Sequence, residues 1–381
     1  MHLPGSAAIL IVVVLAAALS ACGRGTTDER PPAAGETPAA SPGTAAGGSA
    51  PTTGADPAKF LVQPLITGIY TADPSAHVFD GRIYIYPSHD IDAGVPADDL
   101  GSHFAMRDYH VFSLDRIGGT VTDHGVALDI AQVPWAGRQM WAPDAAEKDG
   151  KYYFYFPAKD KQDVFRIGVA VGDKPTGPFT PQPTPIEGSY SIDPAVFRDT
   201  DGEYYMYFGG IWGGQLQRWA TGTYRAEDVY PGDDEPALSP KVARLAPDMV
   251  SFAESPKDVV IQDEAGQPLR AGDNARRFFE AAWVHKYNGR YYLSYSTGDT
   301  HFIVYATADS PYGPFTYRGK ILEPVLGWTN HHSIVEVDGR WYLFFHDSQL
   351  SGGQTHLRNV KVTELTHNPD GTITTIDPYF D

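Results

Sequence analysis

The stretch Ser191–Phe208 reads SIDPAVFRDTDGEYYMYF and decides the fold. It predicts a strand that begins at the acid Asp193, a turn at Asp201-Gly202 and a second strand rich in aromatic residues. Asp-Gly between two apolar runs is a strong hairpin signal, because a tight two-residue turn needs positive φ at both central positions. The alternation of the second run sends its side chains to opposite faces of a sheet.

The same hairpin pattern occurs four more times along the chain. The other turns, each followed by a basic residue and an aromatic strand, are Asp80-Gly81, Asp149-Gly150, Asn288-Gly289 and Asp338-Gly339. Five copies in a folded part of about 320 residues leave roughly 64 residues per copy, which is room for four short strands and their loops. We therefore predict an all-β protein, a five-bladed β-propeller with four-stranded blades around a central axis.

One interval between turns is longer than the others. It contains the polar, charged segment 233–275, between the third and fourth blades. The segment is interpreted either as a surface loop or as a loop that shapes the mouth of a site, since propeller loops often carry specificity.

The composition agrees with a β protein and argues against one class of binding partner. The chain has 381 residues, 39 Gly, 31 Pro, 12% aromatic residues and a formal net charge of −18. Abundant turn formers with Tyr and Phe favour strands over helices. The acidic balance argues against a nucleic acid as partner, because phosphate binding requires clusters of Lys and Arg.

The N-terminal residues 1–22 read as a lipoprotein-type signal peptide. Ala7–Leu19 is continuously apolar or small, too short to span a membrane stably, and Leu19-Ser20-Ala21-Cys22 follows. This end resembles the bacterial lipobox, which implies acylation of Cys22; an ordinary cleaved signal with an accidental cysteine is the alternative. Because Cys22 is the only cysteine, no intrachain disulfide is possible. We expect export across the inner membrane and a lipid anchor in a bacterial membrane, periplasmic or at the cell surface, with no other membrane contact.

Residues 23–58 are predicted to be a disordered linker. They are mostly Pro, Ala, Gly, Thr and Ser and include no Val, Ile, Leu, Met, Phe, Tyr or Trp. Such a segment cannot bury enough apolar surface to fold. The propeller domain is therefore assigned to residues 59–381.

Each predicted hairpin is preceded by a polar residue at the start of its first strand. These residues are Asp73, Asp144, Asp193, Glu280 and one histidine of the pair His331-His332. Equivalent positions of a repeat fold meet around the axis, so these side chains are expected to converge. Glycoside hydrolysis needs one carboxylic acid to protonate the leaving oxygen and a carboxylate on the opposite side of the sugar ring. The pattern alone does not say which acid has which role, and an Asp before Pro is often only a turn or capping residue.

Five motifs together resemble glycoside hydrolase family 43, whose members are five-bladed propellers that act on arabinose- and xylose-containing glycans. The motifs begin at Ala72, Trp141, Ile192, Phe279 and His331, and the resemblance covers about residues 69–377. It implies hydrolysis with inversion, with Asp73 as general base and Glu280 as general acid. Asp193 would tune the pKa of that acid and orient it.

The resemblance also suggests substrate contacts. Asp144 is either a substrate contact or a structural acid, and Trp141 and Trp212 are candidate stacking walls for a sugar ring, although Trp212 could simply pack. Arg358 resembles a family arginine that reaches the substrate. It could also hold Asp73 ionised, and the alternative is a surface arginine on a strand.

A calcium ion at the axis is a further implication of the resemblance, with His332 as a candidate ligand. Calcium prefers oxygen ligands, so one histidine would be an exception among waters and carbonyls. The alternative is a histidine that forms hydrogen bonds with the acids or packs. No other cofactor is expected.

The predicted function is therefore hydrolysis of β-D-xylosyl or α-L-arabinofuranosyl linkages in plant cell-wall glycans. Endo-arabinanase action within the same family is one alternative. A fructan-acting relative is disfavoured, because those enzymes place Cys-Pro after the fourth-blade acid and Glu280 is followed by Ala281 and Ala282. A noncatalytic glycan-binding propeller lipoprotein is the alternative from another class. Three converging acids count against it, since a binder needs aromatic platforms instead.

Overall fold

The structure is a computed structural model that describes residues 55–298 and 301–380. The predicted signal peptide with Cys22 and nearly all of the predicted linker lie outside the described residues. All described residues belong to one compact unit. Within them, no helix has the length and apolar character that a membrane crossing requires.

The described chain contains 21 strands and four short 3-10 helices. The strands of the first three blades are β1 Tyr70–Phe79, β2 Arg82–Asp90, β3 Asp108–Leu114, β4 Thr122–Asp129, β5 Ala136–Arg138, β6 Asp144–Lys148, β7 Lys151–Asp160, β8 Phe165–Gly172, β9 Thr180–Pro181, β10 Ala195–Arg198, β11 Tyr204–Phe208, β12 Lys241–Arg244 and β13 Lys257–Asp258. The strands of the last two blades are β14 Ile261–Gln262, β15 Glu280–Tyr287, β16 Arg290–Thr297, β17 Phe302–Ala308, β18 Phe315–Leu322, β19 His332–Val337, β20 Arg340–Asp347 and β21 Asn359–Leu365. The 3-10 helices are Pro57–Lys59, Ile130–Gln132, Trp212–Gly214 and Leu216–Trp219.

The strands form five small sheets in chain order, which is the predicted propeller arrangement. Blades one and three have four strands each, in the orders β1-β2-β3-β4 and β10-β11-β12-β13. In blade two, β5 and β6 both pair with β7, and in blade four the short β14 lies parallel to the outer strand β18. Blade five has three strands among the described residues, β19-β20-β21. The predicted number of four strands therefore holds for two blades and varies in the other three.

Four of the five predicted hairpins have the expected two-residue turn. In each, the residue before Gly and the Gly itself have positive φ, for example 50° at Asp80 and 74° at Gly81. The third turn differs, because Arg198 pairs with Tyr204 and leaves a five-residue loop. Asp199, within this loop, accepts a hydrogen bond from Lys286 Nζ of blade four at 2.8 Å, and β10 ends two residues earlier than a two-residue turn at Asp201-Gly202 would require.

The segment 233–275 is more than the surface loop considered from the sequence. It supplies β12 and β13, the outer strands of blade three, and β14 at the edge of blade four. Near its end, Asn274 lines one cavity together with Trp212. The segment therefore both completes a blade and borders the region next to that tryptophan.

The hydrophobic core lies between neighbouring blades rather than within one sheet. Each interface between two blades buries its own cluster of large side chains. Pairs that represent the five clusters are Tyr86 with Phe154, Tyr155 with Met206, Tyr207 with Tyr295, Tyr305 with Leu343, and Ile85 with Phe344. Because aromatic strands such as β11 bury both faces, the alternating aromatic runs in the sequence serve two interfaces at once.

The two ends of the described chain meet beside blade five. Phe60 and Tyr379 form an isolated bridge, and Ala55 N donates to Gln349 O at 3.0 Å. Residues 55–58 were assigned to the linker from their composition. They are instead bound to the propeller, because backbone hydrogen bonds and the Asp56 cap of the first 3-10 helix need no apolar side chain.

Candidate active site

Backbone irregularities aim the acids at the axis. The pairing of β1 with β2 shifts register between Ala72 and Ser75, and that of β15 with β16 shifts between Glu280 and Trp283. Asp73 itself has a φ of 50°. A bulge turns a side chain away from the regular alternation of a strand. The innermost strands of blades one and four therefore each present one carboxyl group to the centre.

Asp73 is buried, and its neighbours stabilise the ionised form of its carboxyl group. Arg358 Nη1 lies 2.9 Å from Asp73 Oδ1, and Ser88 Oγ donates to Oδ2 at 2.7 Å. Burial alone would raise the pKa of Asp73, but Arg358 and then His346 lower it, and the pKa lies below its usual value of 3.8. Asp73 is therefore a carboxylate throughout the neutral range, as a general base requires.

His346 fixes the backbone at this position. Asp73 N donates to His346 Nδ1 at 3.0 Å, so Nδ1 is the unprotonated nitrogen and Nε2 carries the hydrogen. That hydrogen points to Thr329, whose O and Oγ1 both lie 3.1 Å from Nε2. Burial, and then the charge of Arg358, keep the pKa of His346 well below 6.5, so the ring is neutral.

Glu280 and Asp193 form an interacting pair on neighbouring blades. Burial, and next the charge of Asp73, raise the pKa of Glu280 to about 8. Burial and the charge of Glu280 also raise the pKa of Asp193. The two carboxyls compete for one proton, and we place it on Glu280, because Asp193 Oδ2 accepts a hydrogen bond from Ala281 N at 2.9 Å that favours its ionised form. The Glu280 side chain is 16% exposed and that of Asp193 only 4%, so the protonated acid is the more accessible of the two.

Arg358 is held from both sides by carboxylates. Its Nη2 lies 2.8 Å from Asp90 Oδ1, and its Nε donates to Asp90 Oδ2 at 2.8 Å. The guanidinium also lies over the ring of Phe104, 4.8 Å from its centroid. It is 3% exposed, so the surface-arginine alternative is wrong. The prediction that Arg358 holds Asp73 ionised agrees with this geometry.

Asp144 occupies a different place from the predicted substrate contact. Its side chain is fully buried and accepts hydrogen bonds from His77 Nε2 at 2.6 Å, from Ala145 N at 2.7 Å, and from Ser75 Oγ and Val196 N. These donors belong to blades one, two and three. With its lone pairs occupied and no exposed surface, Asp144 corresponds to the structural alternative, an acid that ties three blades together.

The two predicted tryptophans differ in exposure. Trp141 is 9% exposed, donates from Nε1 to Phe104 O at 2.8 Å and packs its ring against Phe165. Trp212 is half-buried, and its ring stacks on Trp328 at 5.7 Å between centroids. Stacking on a sugar remains a prediction for both, with more free ring surface at Trp212.

His332 is buried with one ring nitrogen unused. Its Nε2 lies 2.6 Å from Ser294 Oγ, whereas Nδ1 has no hydrogen-bond partner. Burial and then the neighbouring His331 keep the pKa of His332 well below 6.5, so the ring is neutral, and Nδ1 is an acceptor in the tautomer that donates from Nε2 to Ser294 Oγ. This fits a cation that takes one imidazole nitrogen and otherwise water. Asp193 lies near His331 rather than beside His332, with 3.6 Å between Oδ2 and His331 Nε2.

Several residues at the site were not predicted from the sequence. They are Ser88, Asp90, His301, Trp328 and His346, of which His301 places Nδ1 3.6 Å from Glu280 Oε1. Three of them lie where an aromatic strand of a hairpin ends in polar residues, as in residues 88–90 and 346–348. Those polar strand ends were the available signal, because the second strand of each hairpin returns to the axis beside the first.

Comparison with known proteins places the chain among glycosidases. The profile described as Glycosyl hydrolases family 43 matches residues 62–373. A protein named xylosidase/arabinosidase 43A from Humicola insolens is 62% identical over 326 residues, which cover 83% of this chain and 100% of the relative. A xylosidase/arabinosidase from Bacteroides ovatus is 60% identical over 314 residues, with 82% and 97% covered.

Solved structures agree with these relatives. A family 43 β-xylosidase/α-arabinofuranosidase from a compost microbial metagenome, solved with xylotriose in a calcium-free form, is 71% identical. It superposes with a TM-score of 0.83 over 84% of this chain and 98% of the other. An enzyme from Xanthomonas citri complexed with xylotriose is 60% identical, with a TM-score of 0.81 over 84% and 95% of the two chains. With a profile match over most of its length and relatives this similar, the chain belongs to glycosyl hydrolase family 43 and is a glycosidase built on a five-bladed β-propeller.

Proposed function

We propose that the protein hydrolyses β-D-xylosyl or α-L-arabinofuranosyl linkages with inversion, using Asp73 as base and Glu280 as acid. The observation that carries the proposal is the opposite shift of the two pKa values, down at Asp73 and up to about 8 at Glu280. An ionised carboxylate and a protonated one are the two groups that glycoside hydrolysis requires. Neither residue needs to change state before the reaction begins.

Asp73 is suited to activating water. A carboxylate has about four lone-pair sites, and Arg358 and Ser88 use three of them with two bonds from the guanidinium and one from the hydroxyl. One site on Oδ1 is left for a water molecule. Proton transfer from that water to Oδ1 would generate the nucleophile that attacks the anomeric carbon, on the face opposite the leaving group.

Glu280 would protonate the departing oxygen. Burial and the negative charge of Asp73 keep Glu280 protonated. Burial also lowers the pKa of the neighbouring His301 to about 3, so this imidazole does not compete for the proton. As the glycosidic bond breaks, the proton moves to the leaving oxygen and Glu280 becomes a carboxylate. Asp193, held by Ala281 N, would orient the acid, while burial and the charge of Asp73 favour the return of a proton to Glu280 for the next cycle.

The substrate class rests on the relatives. Their names include both xylosidase and arabinosidase, and two solved relatives hold xylotriose. We infer that xylo-oligosaccharides are the principal substrates and that pentoses are released one at a time.

A calcium ion at the axis is part of the proposal, with His332 Nδ1 as its protein ligand. When bound, such an ion would add positive charge at the axis and would help to keep Asp73 ionised. The chain itself contributes the neutral imidazole, which burial maintains and Ser294 orients.

Lipid anchoring is proposed from the sequence of residues 1–22. Acylation at Cys22 would place the propeller outside the inner membrane, tethered by the segment that follows. Mass spectrometry of the mature N-terminus would test this, and an N-terminus that is unmodified, or that begins at a residue other than Cys22, would contradict it.

The decisive experiment is sugar release by the purified protein from aryl β-xyloside, aryl α-arabinofuranoside, xylo-oligosaccharides and linear arabinan. Asp73→Asn is the test variant, and Asp80→Asn in the turn of the same hairpin is the matched control. We expect release of single pentoses that is lost in Asp73→Asn and kept in Asp80→Asn, with the inverted anomer first by proton NMR. Retained anomeric configuration, or full activity of Asp73→Asn, would overturn the mechanism. Internal cleavage of arabinan would favour the endo-arabinanase alternative, and binding of xylotriose without any turnover would favour the noncatalytic one.

A further inference from the structure

Two histidines and one aspartate meet on blade one, outside the carboxyl site. Candidate ligand atoms of His89, Asp108 and His110 all lie within 4.8 Å of one another. Within residues 55–298 and 301–380, no other group of three such side chains is as close. The side chains are 19%, 21% and 15% exposed, so the cluster is partly sheltered yet open to an ion from solvent.

The three residues share one face of blade one. β2 and β3 are antiparallel neighbours, and His110 lies two residues after Asp108 on β3, so both point to the same side. His89 Nδ1 lies 2.6 Å from Asp108 Oδ1, and the rings of His89 and His110 are 5.0 Å apart between centroids. His89 lies near the end of β2, and Asp108 and His110 lie at the start of β3, so the cluster is carried by strand residues just beyond the pairs that join the two strands.

We propose that His89, Asp108 and His110 form a binding site for a borderline divalent transition ion, and specifically for Zn²⁺. Two imidazoles and one carboxylate suit zinc, which leaves one position of a tetrahedron for water. Calcium and magnesium prefer oxygen ligands, so a site with two nitrogen ligands should bind them weakly. The proposal concerns a different site from the axial one at His332.

His110 already has the outer contact that metal-bound histidines usually make. Its Nδ1 lies 3.0 Å from Asp123 Oδ1 and 3.1 Å from Oδ2. A carboxylate on one ring nitrogen fixes the tautomer and raises the basicity of the other, so Nε2 is left as the metal ligand. Asp123 is thus a positioning residue that orients His110.

The ligand atoms need only small movements to accept the ion. With ligand distances of about 2.1 Å, the corners of a zinc tetrahedron lie roughly 3.4 Å apart. The separation of 2.6 Å between His89 Nδ1 and Asp108 Oδ1 must open, and the widest separation in the cluster, at most 4.8 Å, must close. Changes of this size are within the reach of side-chain rotation on a fixed backbone.

The location of the cluster gives bound zinc a structural consequence. His89 lies between Ser88 and Asp90 on β2, and alternation sends its side chain to the other face of the strand. Ser88 donates to Asp73, and Asp90 holds Arg358. An ion that joins β2 to β3 at His89 would therefore stabilise the strand end that supports the carboxyl site.

The test is zinc binding by the whole protein, purified without a polyhistidine tag and stripped with a chelator. The variants are His110→Gln, Asp123→Asn and the control His124→Gln, a neighbouring histidine that contacts Ser113 instead. We expect one tightly bound zinc per chain by metal analysis and a higher Tm in zinc. In calorimetry, zinc should bind at least tenfold more weakly to His110→Gln, with a smaller loss in Asp123→Asn and none in His124→Gln.

Cobalt serves as a spectroscopic probe of the proposed zinc site, and calcium serves as a competitor for it. Cobalt should give visible absorption bands in the wild type that zinc abolishes and excess calcium leaves unchanged. Absence of bound zinc at micromolar concentrations, equal zinc affinity in His110→Gln and wild type, or displacement of zinc by calcium would each overturn the proposal. Circular dichroism of His110→Gln confirms that a loss of zinc binding does not come from unfolding.

Discussion

Arg358 donates to both oxygens of Asp73, from Nη1 to Oδ1 at 2.9 Å and from Nη2 to Oδ2 at 3.3 Å. Its remaining donors are taken up mainly by Asp90. One buried guanidinium thus pairs with two buried carboxyl groups, and it fixes the plane of the Asp73 carboxyl group as well as favouring its ionised form. The orientation of the base and its ionisation have the same physical origin.

Arg358→Lys should therefore damage catalysis although it keeps the positive charge. A lysine ammonium is a point charge and cannot bond to Asp73 and Asp90 as a fork. We expect kcat/KM to fall by about 100-fold, as misplacement of a reacting group does. The acid limb of the pH profile should move to higher pH, because the pKa of Asp73 loses part of the effect that lowers it. Arg340→Lys, at an exposed ion pair with Glu364, is the control. Unchanged kcat/KM in Arg358→Lys would contradict the assignment.

The pH dependence of kcat/KM follows from the two shifted groups. Activity requires Asp73 ionised, with a pKa below 3.8, and Glu280 protonated, with a pKa of about 8. We expect a bell-shaped profile with its alkaline limb near pH 8. In Glu280→Gln that limb should disappear, since an amide does not titrate. An unchanged alkaline limb in the variant would assign it to another group.

Glu280→Gln should also discriminate between leaving groups. Protonation matters most when the leaving oxygen is a sugar hydroxyl and least when it is a good aryl leaving group. We expect turnover of xylobiose to fall by about 10²–10⁴-fold and that of activated aryl xylosides by much less. Equal losses on both substrates would contradict the acid role.

The hairpin repeat and the acids could be predicted because both depend on local sequence. A turn at Asp80-Gly81 is specified by two residues, and Asp73 stands seven positions before Asp80 on the strand that leads into it. Asp90 and His346 could not be assigned in this way. Their roles depend on blades one and five meeting, which brings together residues 268 positions apart in the case of Asp90 and Arg358.

The position of Asp144 could not be predicted from its motif. Its motif resembles one of the family, yet the side chain turns into the junction of three blades. What separates them is the register around each acid: Asp144 pairs regularly with Tyr155 at the start of β6, whereas Asp193 precedes its strand with a φ of 57°. Backbone conformation of that kind is set by tertiary packing and does not appear in the motif.

The raised pKa of Glu280 makes the stability of the folded protein depend on pH. Between the usual pKa of 4.5 and about 8, the folded protein keeps a proton that the unfolded chain has lost. The free energy of unfolding therefore falls as pH rises through this window, by at most about 1.4 kcal/mol per pH unit from this group. Glu280→Gln removes the effect, so the Tm of the variant relative to wild type should increase from pH 5 to pH 8. A constant difference, measured by calorimetry, would mean that Glu280 is not protonated at neutral pH.

Calcium removal tests the role of His332. If an axial ion is held by its Nδ1, a chelator should lower Tm and calcium should restore it, because a ligand that binds only the folded state stabilises it. His332→Gln should remove the response, while His110→Gln, at the separate site on blade one, should keep it. A Tm that does not respond to chelator in the wild type would argue against an essential calcium.

Asp144→Asn should affect stability rather than substrate affinity. The carboxylate accepts from backbone Ala145 N and Val196 N and from two side chains. An amide turns one acceptor into a donor that faces other donors in a fully buried position. The expected loss is about 3 kcal/mol, seen as a Tm several degrees lower, since breaking a buried charged network leaves polar groups unpaired.

The matched control for that variant is Asp149→Asn. Asp149 lies at a two-residue turn with a φ of 55°, and Asn288 occupies the equivalent turn of blade four with a φ of 49°. Asparagine is therefore compatible with this conformation, and Tm should stay within about a degree of wild type. For Asp144→Asn we expect the KM of the folded enzyme to remain within about twofold, because the side chain has no exposed surface with which to reach a sugar. A large rise in KM at unchanged Tm would restore the role that the motif first suggested, a direct contact with substrate.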